Sequence, residues 1–155
     1  MRENFEKALN FVLKWEGGYS NDPRDPGGLT IYGISMNSHP NEVKKMDELW
    51  KQGKKDKALE IAKDIYKKLY WDRIKGDELK YPFDIIVFDT AVNMGVGTAM
   101  QMYSACQGDW KDYLFLRINR YKEIALANKN AQAFLLGWLN RVMDLYKTIS
   151  KGGSK

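Results

Sequence analysis

The chain has 155 residues, of which 44% are hydrophobic and 13% aromatic, so it can bury the core of one ordinary domain and is too apolar to be disordered. Its single cysteine and single histidine exclude an internal disulfide and a cluster of zinc ligands. The formal net charge of +5 indicates an anionic partner, for which nucleic acid and the bacterial cell wall are both candidates.

The predicted elements begin with an amphipathic helix over about the first fifteen residues, which ends at Gly17 and Gly18. An acidic loop follows, and residues 30–34 are expected to form a short strand in a small hairpin around it. The helix over residues 83–94 is apolar on nearly all sides, which indicates that it is the buried centre of the domain. The spacing of apolar residues predicts the other helices over residues 42–52, 55–70, 98–106, 110–128 and 131–149, with Asp109 and Asn130 as N-caps of the last two.

This order of elements predicts a mainly α fold. A small lobe with the short hairpin would carry the acidic loop, a larger lobe would be helical, and the cleft between them would suit an extended ligand. No apolar run is long enough to span a bilayer, so no stable membrane association is expected. The first residues lack the apolar core of a signal peptide, so we expect synthesis in the cytoplasm and a separate route of release.

The loop between Glu16 and Thr30 concentrates glycines, prolines and acids, and loops held by a rigid scaffold are where catalytic groups tend to lie. Asp25 lies nine residues after Glu16, and Thr30 follows five residues later. Cleavage of a glycosidic bond needs one carboxylic acid that protonates the leaving oxygen and a second carboxylate that directs water or attacks the sugar. The loop contains this set of groups.

The surroundings of the two carboxyl groups differ and suggest their roles. The negative end of the helix dipole and the neighbouring apolar face both favour the neutral acid at Glu16, the candidate general acid. Asp25 is expected to stay ionised as the general base, with Thr30 as a hydrogen-bonding partner of the water. Asp22 is a weaker candidate for the second carboxylate, because it precedes a proline and can form an Asx-turn. The oxygen ligands in the loop do not follow the EF-hand spacing, so no metal and no cofactor are expected.

Three segments carry a resemblance to a known family. The run Glu-Gly-Gly-Tyr from Glu16, followed by Asn-Asp-Pro-x-Asp-Pro-Gly-Gly-x-Thr-x-x-Gly-Ile from Asn21, resembles the signature of glycoside hydrolase family 108. Residues 88–95 resemble the central helix of that family, and residues 134–142 resemble the end of its C-terminal region, which is described as peptidoglycan-binding. Members of the family are lysozyme-like muramidases of phage endolysins and of bacterial proteins once labelled secretion activators.

The same loop is similar to that of the T-even phage lysozymes, in which a Glu, an Asp nine residues on and a Thr shortly after form the catalytic triad. The Thr spacing differs here by one residue. The resemblance implies that Glu16 is the general acid, Asp25 the general base and Thr30 the residue that positions the water, in an inverting mechanism.

The resemblance also implies the organisation of the chain. One α+β lysozyme-like domain is expected over residues 1–150. Within it, residues 1–80 would form the catalytic lobe and residues 81–150 a helical, peptidoglycan-binding-like lobe. Residues 151–155 would form a flexible tail.

Further residues are candidates for substrate binding. Tyr19 and Tyr32 flank the loop and could stack on sugar rings or pack against the small lobe. Asp89 and Asn93 lie four residues apart on one helix and share a face. Asp89 is expected to belong to a structural network, whereas Asn93 is equally consistent with such a network and with a contact to substrate amides.

In the last helix, Trp138, Asn140 and Arg141 complete the set of candidates for substrate binding. A tryptophan in this setting is more often part of a core than a ligand platform. Arg141 is expected to pair either with a buried aspartate or with a carboxylate of the peptidoglycan.

The hypothesis from sequence is a lysozyme, a monomeric glycoside hydrolase that cleaves the β-1,4 bond between N-acetylmuramic acid and N-acetylglucosamine in peptidoglycan. It would act on the cell wall or in the periplasm after release, lyse bacteria and bind no nucleic acid. One alternative is a lytic transglycosylase, which needs one Glu and no water. The other is a non-catalytic module that binds cell wall or nucleic acid. A phage endolysin and a bacterial lysin that aids secretion fit equally well.

Overall fold

The computed structural model describes residues 2–23 and 27–152, and the chain divides into two compact units, Met1–Asp77 and Glu78–Lys155. In its described part the first unit consists of α1 (Arg2–Glu16), β1 (Tyr19–Ser20), β2 (Thr30–Ile31), β3 (Ile34–Ser35), α2 (Pro40–Lys51), α3 (Lys55–Tyr66) and a π-helical turn (Lys67–Trp71). After a 3-10 turn (Gly76–Glu78), the second consists of α4 (Phe83–Met94), α5 (Val96–Ala105), α6 (Trp110–Ala127), a 3-10 segment (Lys129–Phe134) and α7 (Leu135–Gly152). The predicted mainly α fold with a small hairpin is confirmed. No helix within the two described ranges is apolar and long enough to cross a bilayer.

Helix α1 is amphipathic, as its sequence predicts, and its apolar side is buried. Phe5, Leu9 and Val12 recur at spacings of three and four residues and are at most 5% exposed. The helix ends where Gly17 adopts a φ of +81°, a conformation that glycine adopts without steric cost. Glu16 is therefore the last residue of the helix, directly before the glycines that lead into β1.

The small sheet is antiparallel, with the strand order β1-β2-β3. Ile31 of β2 pairs with Ile34 of β3, and both side chains are buried. Only Tyr32 and Gly33 connect these partners, with φ values of +51° and +80°. Two positive φ values in a two-residue loop identify a type I′ turn, whose twist matches that of the strands it joins.

The end of α3 widens into the π-helical turn, in which the Asp72 N–H donates to the Lys67 carbonyl at 2.8 Å. Trp71 in this turn is 1% exposed, and its ring centroid lies 5.4 Å from that of Phe5 in α1. The indole N–H of Trp71 donates to Asp77 Oδ1 at 3.1 Å. The helix predicted over residues 55–70 therefore changes its hydrogen-bond register near its end, where it packs on α1.

The centre of the second unit is α4, in which residues 84–91 are all buried. The prediction of a buried central helix at this position is confirmed. The predicted N-cap of α6 is also confirmed, because the Asp109 carboxylate accepts hydrogen bonds from the backbone N–H groups of Lys111 and Asp112 at 3.0 and 3.3 Å.

The last helix differs from its prediction. Asn128, rather than Asn130, has the extended backbone of a cap, and its side chain accepts a hydrogen bond from the Asn130 N–H at 3.0 Å. It caps a 3-10 segment, and the α-helix starts only at Leu135. That helix runs to Gly152, beyond the point where the tail was expected to begin, and residues 153–155 lie outside the described residues.

A buried ion network joins three helices of the second unit. Asp89 of α4 accepts from Arg141 of α7, with Nη2 at 2.7 Å and Nε at 3.0 Å from Oδ1. Its Oδ2 lies 2.7 Å from Nη1 of Arg117 in α6. Asp89 and Arg117 are fully buried and Arg141 is 5% exposed. One carboxylate therefore compensates two cations that have lost their hydration.

The network continues from Arg117 to the neighbouring polar groups. Its Nη1 donates to Thr90 Oγ1 at 3.1 Å and its Nε to the Tyr121 hydroxyl at 2.9 Å. The Tyr121 hydroxyl in turn donates to Oδ1 of Asn93. Within the described residues, Nη2 of Arg117 has no hydrogen-bond partner. This cluster is therefore short of acceptors rather than of donors.

We expect Asp89→Asn to destabilise the second unit by about 3–5 kcal/mol, because it leaves two buried guanidinium groups without a counter-charge. Urea unfolding followed by near-UV circular dichroism measures the change. Asp112→Asn, which removes the same charge from an exposed residue of α6, should cost less than about 1 kcal/mol. Similar losses in the two variants would contradict the proposed importance of the network.

Gly33→Ala should destabilise the first unit by about 1–3 kcal/mol, because a non-glycine residue is strained at positive φ. A Cβ built at Gly33 would also lie 2.6 Å from the Tyr66 hydroxyl and 2.7 Å from Cβ of Glu16. Thermal unfolding measures the loss, and Gly53→Ala is the matched control. Its φ is +74° but nothing lies within 4 Å of the added Cβ, so it isolates the strain from the steric clash.

Candidate active site

The side chain of Glu16 lies against the β2–β3 turn. A Cβ built on Gly33 would lie 2.7 Å from Cβ and 3.2 Å from Cγ of Glu16, closer than a real side chain allows. The absence of a side chain at Gly33 therefore permits this approach. Glu16 is half-buried, and the aliphatic part of its side chain lies against the hairpin.

Two tyrosines from α3 and its π-helical extension complete the surroundings of Glu16. The Tyr66 hydroxyl lies 2.6 Å from the position of a Cβ on Gly33, and it donates to the carbonyl of Tyr32 at 2.6 Å. The pKa of Tyr70 is raised by partial burial and by the negative charge of Glu16. Tyr70 is therefore a neutral phenol near Glu16 at physiological pH.

Tyr66 and Tyr70 had no functional role in the prediction from sequence. Their ring centroids lie 6.0 Å apart. Their spacing of four residues in the helix predicted over 55–70 was the available signal, because residues at i and i+4 share a helix face. Nothing in the sequence pattern indicated that this face meets the end of α1.

Thr30 lies on the middle strand, where it pairs with Ser20 of β1 and Ser35 of β3. It is half-buried and three residues before Gly33. The strand that carries Thr30 therefore leads directly into the turn against which the side chain of Glu16 lies. Asp25, the predicted general base, lies outside the described residues.

The described end of the acidic loop is anchored to the segment after β3. The Met36 N–H donates to the Leu29 carbonyl at 2.8 Å, and the Asn37 N–H donates to the Gly27 carbonyl at 3.3 Å. These bonds fix where the loop returns to the sheet, so the chain enters β2 at Thr30 with a defined direction.

The two tyrosines predicted to flank the loop form a cluster with Trp50 of α2. The ring centroid of Trp50 lies 5.6 Å from that of Tyr19 and 5.4 Å from that of Tyr32. The Tyr19 hydroxyl donates to Asp47 Oδ1 at 2.9 Å, and this bond to a carboxylate raises the pKa of Tyr19. Trp50 had no role in the prediction from sequence, because its position on α2 suggested only helix packing.

The candidates in the second unit lie in three different settings. Asn93 and Trp138 help to line a cavity of about 260 Å³, and Trp138 stacks on Tyr121 with centroids 4.8 Å apart. Arg141 is buried and pairs with Asp89, which is the first of the two alternatives predicted for it. Asn140 is exposed on α7.

Comparison with known proteins adds two findings. The sequence model of Glycosyl hydrolase 108 matches residues 9–95, more than half of the chain. Among solved structures, that of Brucella abortus SagA is similar to this one, with 26% sequence identity, a TM-score of 0.63, and coverage of 97% of this chain and 96% of that chain. No curated protein sequence matches the chain significantly. The matched range includes Glu16, Asp25 and Thr30, and the chain belongs to the glycosyl hydrolase 108 family, whose members cleave glycosidic bonds.

Proposed function

We propose that this protein is a lysozyme that hydrolyses the β-1,4 bond between N-acetylmuramic acid and N-acetylglucosamine in peptidoglycan. The observation that carries the proposal is the position of Glu16, an acid at the end of α1 whose Cβ and Cγ lie against the β2–β3 turn. The acidic loop with Asp25 and the strand with Thr30 follow directly along the chain. All three residues lie within the range that matches the glycosyl hydrolase family.

In the proposed reaction Glu16 is the general acid. It donates its proton to the glycosidic oxygen as the bond from that oxygen to the anomeric carbon breaks. Burial and the charge of Glu16 raise the pKa of Tyr70, so Tyr70 stays a neutral phenol that interacts with Glu16. Tyr70 is a donor that can orient the carboxyl group.

Asp25 is the proposed general base, and Thr30 the residue that holds the water. Asp25 takes one proton from the water as its oxygen attacks the anomeric carbon, and Glu16 protonates the leaving sugar. The products are two sugar chains, one with a new reducing end. Attack by water from the face opposite the leaving group inverts the anomeric configuration.

Peptidoglycan is the proposed substrate because its strands are anionic and the chain carries a net charge of +5. The first unit would contain the catalytic lobe, and the second would bind the glycan. The cavity that Asn93 and Trp138 line supports the proposed role of these residues, and the exposure of Asn140 supports that of Asn140. Arg141 would act indirectly, by fixing Asp89 and through it α4.

The proposed place of action is the bacterial cell wall, where the substrate lies. A lysin that reaches the wall from the cytoplasm, as phage endolysins do, fits this chemistry. We propose that the protein acts as a monomer. It needs no cofactor, because the two carboxyl groups and one water supply every proton that the reaction moves.

Glu16→Gln should lower the hydrolysis of purified peptidoglycan by about 10²–10⁴-fold, because the amide keeps the shape of the acid but cannot donate its proton comparably. Mass spectrometry of the released fragments, scored for reducing N-acetylmuramic acid ends, measures the activity. Glu42→Gln on the exposed side of α2 is the control and should retain full activity.

Three results would contradict the assignment. Retained activity in Glu16→Gln would exclude this residue as the acid. Release of 1,6-anhydro ends by the wild type would identify a lytic transglycosylase instead, since that reaction uses no water. Release of no sugar at all would favour a non-catalytic binding module.

Thr30→Val should lower the rate of hydrolysis by about 10–100-fold, because misplacement of a reactant by about 1 Å is enough for such a loss. Valine keeps the branched shape that suits the middle strand but lacks the hydroxyl group. Thr30→Ser, which retains the hydroxyl, is the matched control. Steady-state rates on solubilised glycan strands decide the matter, and equal rates in the two variants would exclude a role for the hydroxyl.

A further inference from the structure

Three aromatic rings and one lysine form a surface cluster beside the candidate active site, which we call the Trp50 cluster. It consists of Trp50 from α2, Tyr19 from β1, Tyr32 from the β2–β3 turn and Lys55 from the start of α3. The rings of Tyr19 and Tyr32 lie 5.6 and 5.4 Å from that of Trp50. The Lys55 ammonium lies 4.7 Å from the centroid of Trp50.

The cluster is fixed to the surroundings of Glu16 by two short connections. Trp50 packs on Gly18, where an added Cβ would lie 3.6 Å from Cη2 of the indole. Gly18 is only two residues after Glu16, and Tyr32 directly precedes the Gly33 that contacts Glu16. The cluster therefore adjoins the two segments that surround Glu16.

The exposure of the cluster distinguishes it from an ordinary core. Tyr19 is 37% exposed, and Trp50 and Tyr32 are half-buried, whereas Trp71 in the same unit is 1% exposed. The hydrogen bond from Tyr19 to Asp47 holds its ring in place. Fixed, accessible aromatic rings lose little conformational entropy when a ligand stacks on them.

Unlike Lys51, Lys55 has no carboxylate partner among the described residues. Lys51, four residues earlier at the end of α2, lies 3.0 Å from Asp47. A lysine ammonium group has three N–H donors, and an indole ring attracts the cation without occupying all of them. Lys55 can therefore still donate to another acceptor. The cluster thus presents aromatic rings and a cation side by side. The carboxylate of Asp47 is held by Tyr19 and Lys51, and the pKa of Tyr32 is raised by burial and by the charge of Asp56.

We propose that the Trp50 cluster binds a sugar unit that carries a carboxylate, with its C–H face on the rings and the carboxylate on Lys55. The inference rests on the proposed function for the identity of the glycan. Of the two sugars in a peptidoglycan strand only N-acetylmuramic acid carries a lactyl group, so the cluster would fix the register of the strand at Glu16. The carboxylate can belong to the lactyl group itself or to the peptide attached to it.

The test measures binding by isothermal titration calorimetry to Glu16→Gln protein, in which turnover is slow. Three probes are used: glycan strands freed of peptide, the same strands with methyl-esterified lactyl groups, and strands that retain the peptides. Adding Lys55→Gln should weaken binding of the peptide-free strands about fivefold. Lys57→Gln, the same change at an exposed residue two positions further in α3, should change the dissociation constant less than twofold.

The choice of probe identifies the source of the carboxylate. Loss of the Lys55 effect on esterified strands assigns the lactyl group, and an effect confined to strands with peptide assigns the peptide. Trp50→Phe, which keeps an aromatic ring of smaller area, should weaken binding of all three probes alike, and its thermal unfolding confirms that it is folded. Two results would overturn the proposal. One is an equal effect of Lys55→Gln and Lys57→Gln on binding. The other is an effect of Lys55→Gln that is as large on esterified strands as on strands with a free carboxylate.

Activity of the otherwise wild-type protein, assayed in parallel, separates the two hypotheses. Hydrolysis with no specific effect of Lys55 would leave the proposed function intact and remove only the subsite. If binding depends on Lys55 but no sugars are released, the result would support the subsite and contradict the proposed hydrolysis. In the active protein, Lys55→Gln should raise KM more than it lowers kcat, because the residue contacts the substrate away from the reacting bond.

Discussion

The approach of the Gly33 backbone to the side chain of Glu16 is the constraint on which the first unit depends. The turn can come this close only because no Cβ stands between them, and the positive φ of Gly33 is the conformation that a type I′ turn requires. The same turn puts Tyr32 at positive φ, which is strained for a tyrosine. The hydrogen bond from Tyr66 to the Tyr32 carbonyl offsets part of that cost and joins the hairpin to α3.

This arrangement links stability to chemistry. The stem of the Glu16 side chain packs against a turn that leaves no room for closer approach, and Tyr70 lies near enough to interact with its charge, so the side chain is restricted before a substrate arrives. Preorganised groups of this kind need little rearrangement during a reaction. The strain at the turn is a typical feature of a functional site, and the buried tyrosine beneath it is the structural support.

The second unit is organised by a different interaction, the pairing of Asp89 with Arg117 and Arg141. Three helices meet at this carboxylate, and neither arginine is more than 5% exposed to water. A buried ion pair gives little net stability over apolar packing, but removal of one member is costly. The network therefore specifies which faces of α4, α6 and α7 meet, and it holds Asn93 through Tyr121 beside the cavity that Trp138 lines.

The sequence by itself determined where the helices lie, because this depends on local spacing, whereas the strand expected over residues 30–34 is divided by the turn at Tyr32 and Gly33. The apolar period of α1, the N-cap at Asp109 and the continuous apolar run of α4 each gave the correct element, and the loop motif gave the family. The start of α7 was misjudged, since the choice between Asn128 and Asn130 as cap depends on a backbone conformation that both residues can adopt. The tertiary structure alone decided which distant residues meet. It brought Tyr66 and Tyr70 to Glu16, Trp50 to Tyr19 and Tyr32, and Arg117 to Asp89, because contacts between segments far apart in the chain leave no periodic signal in it.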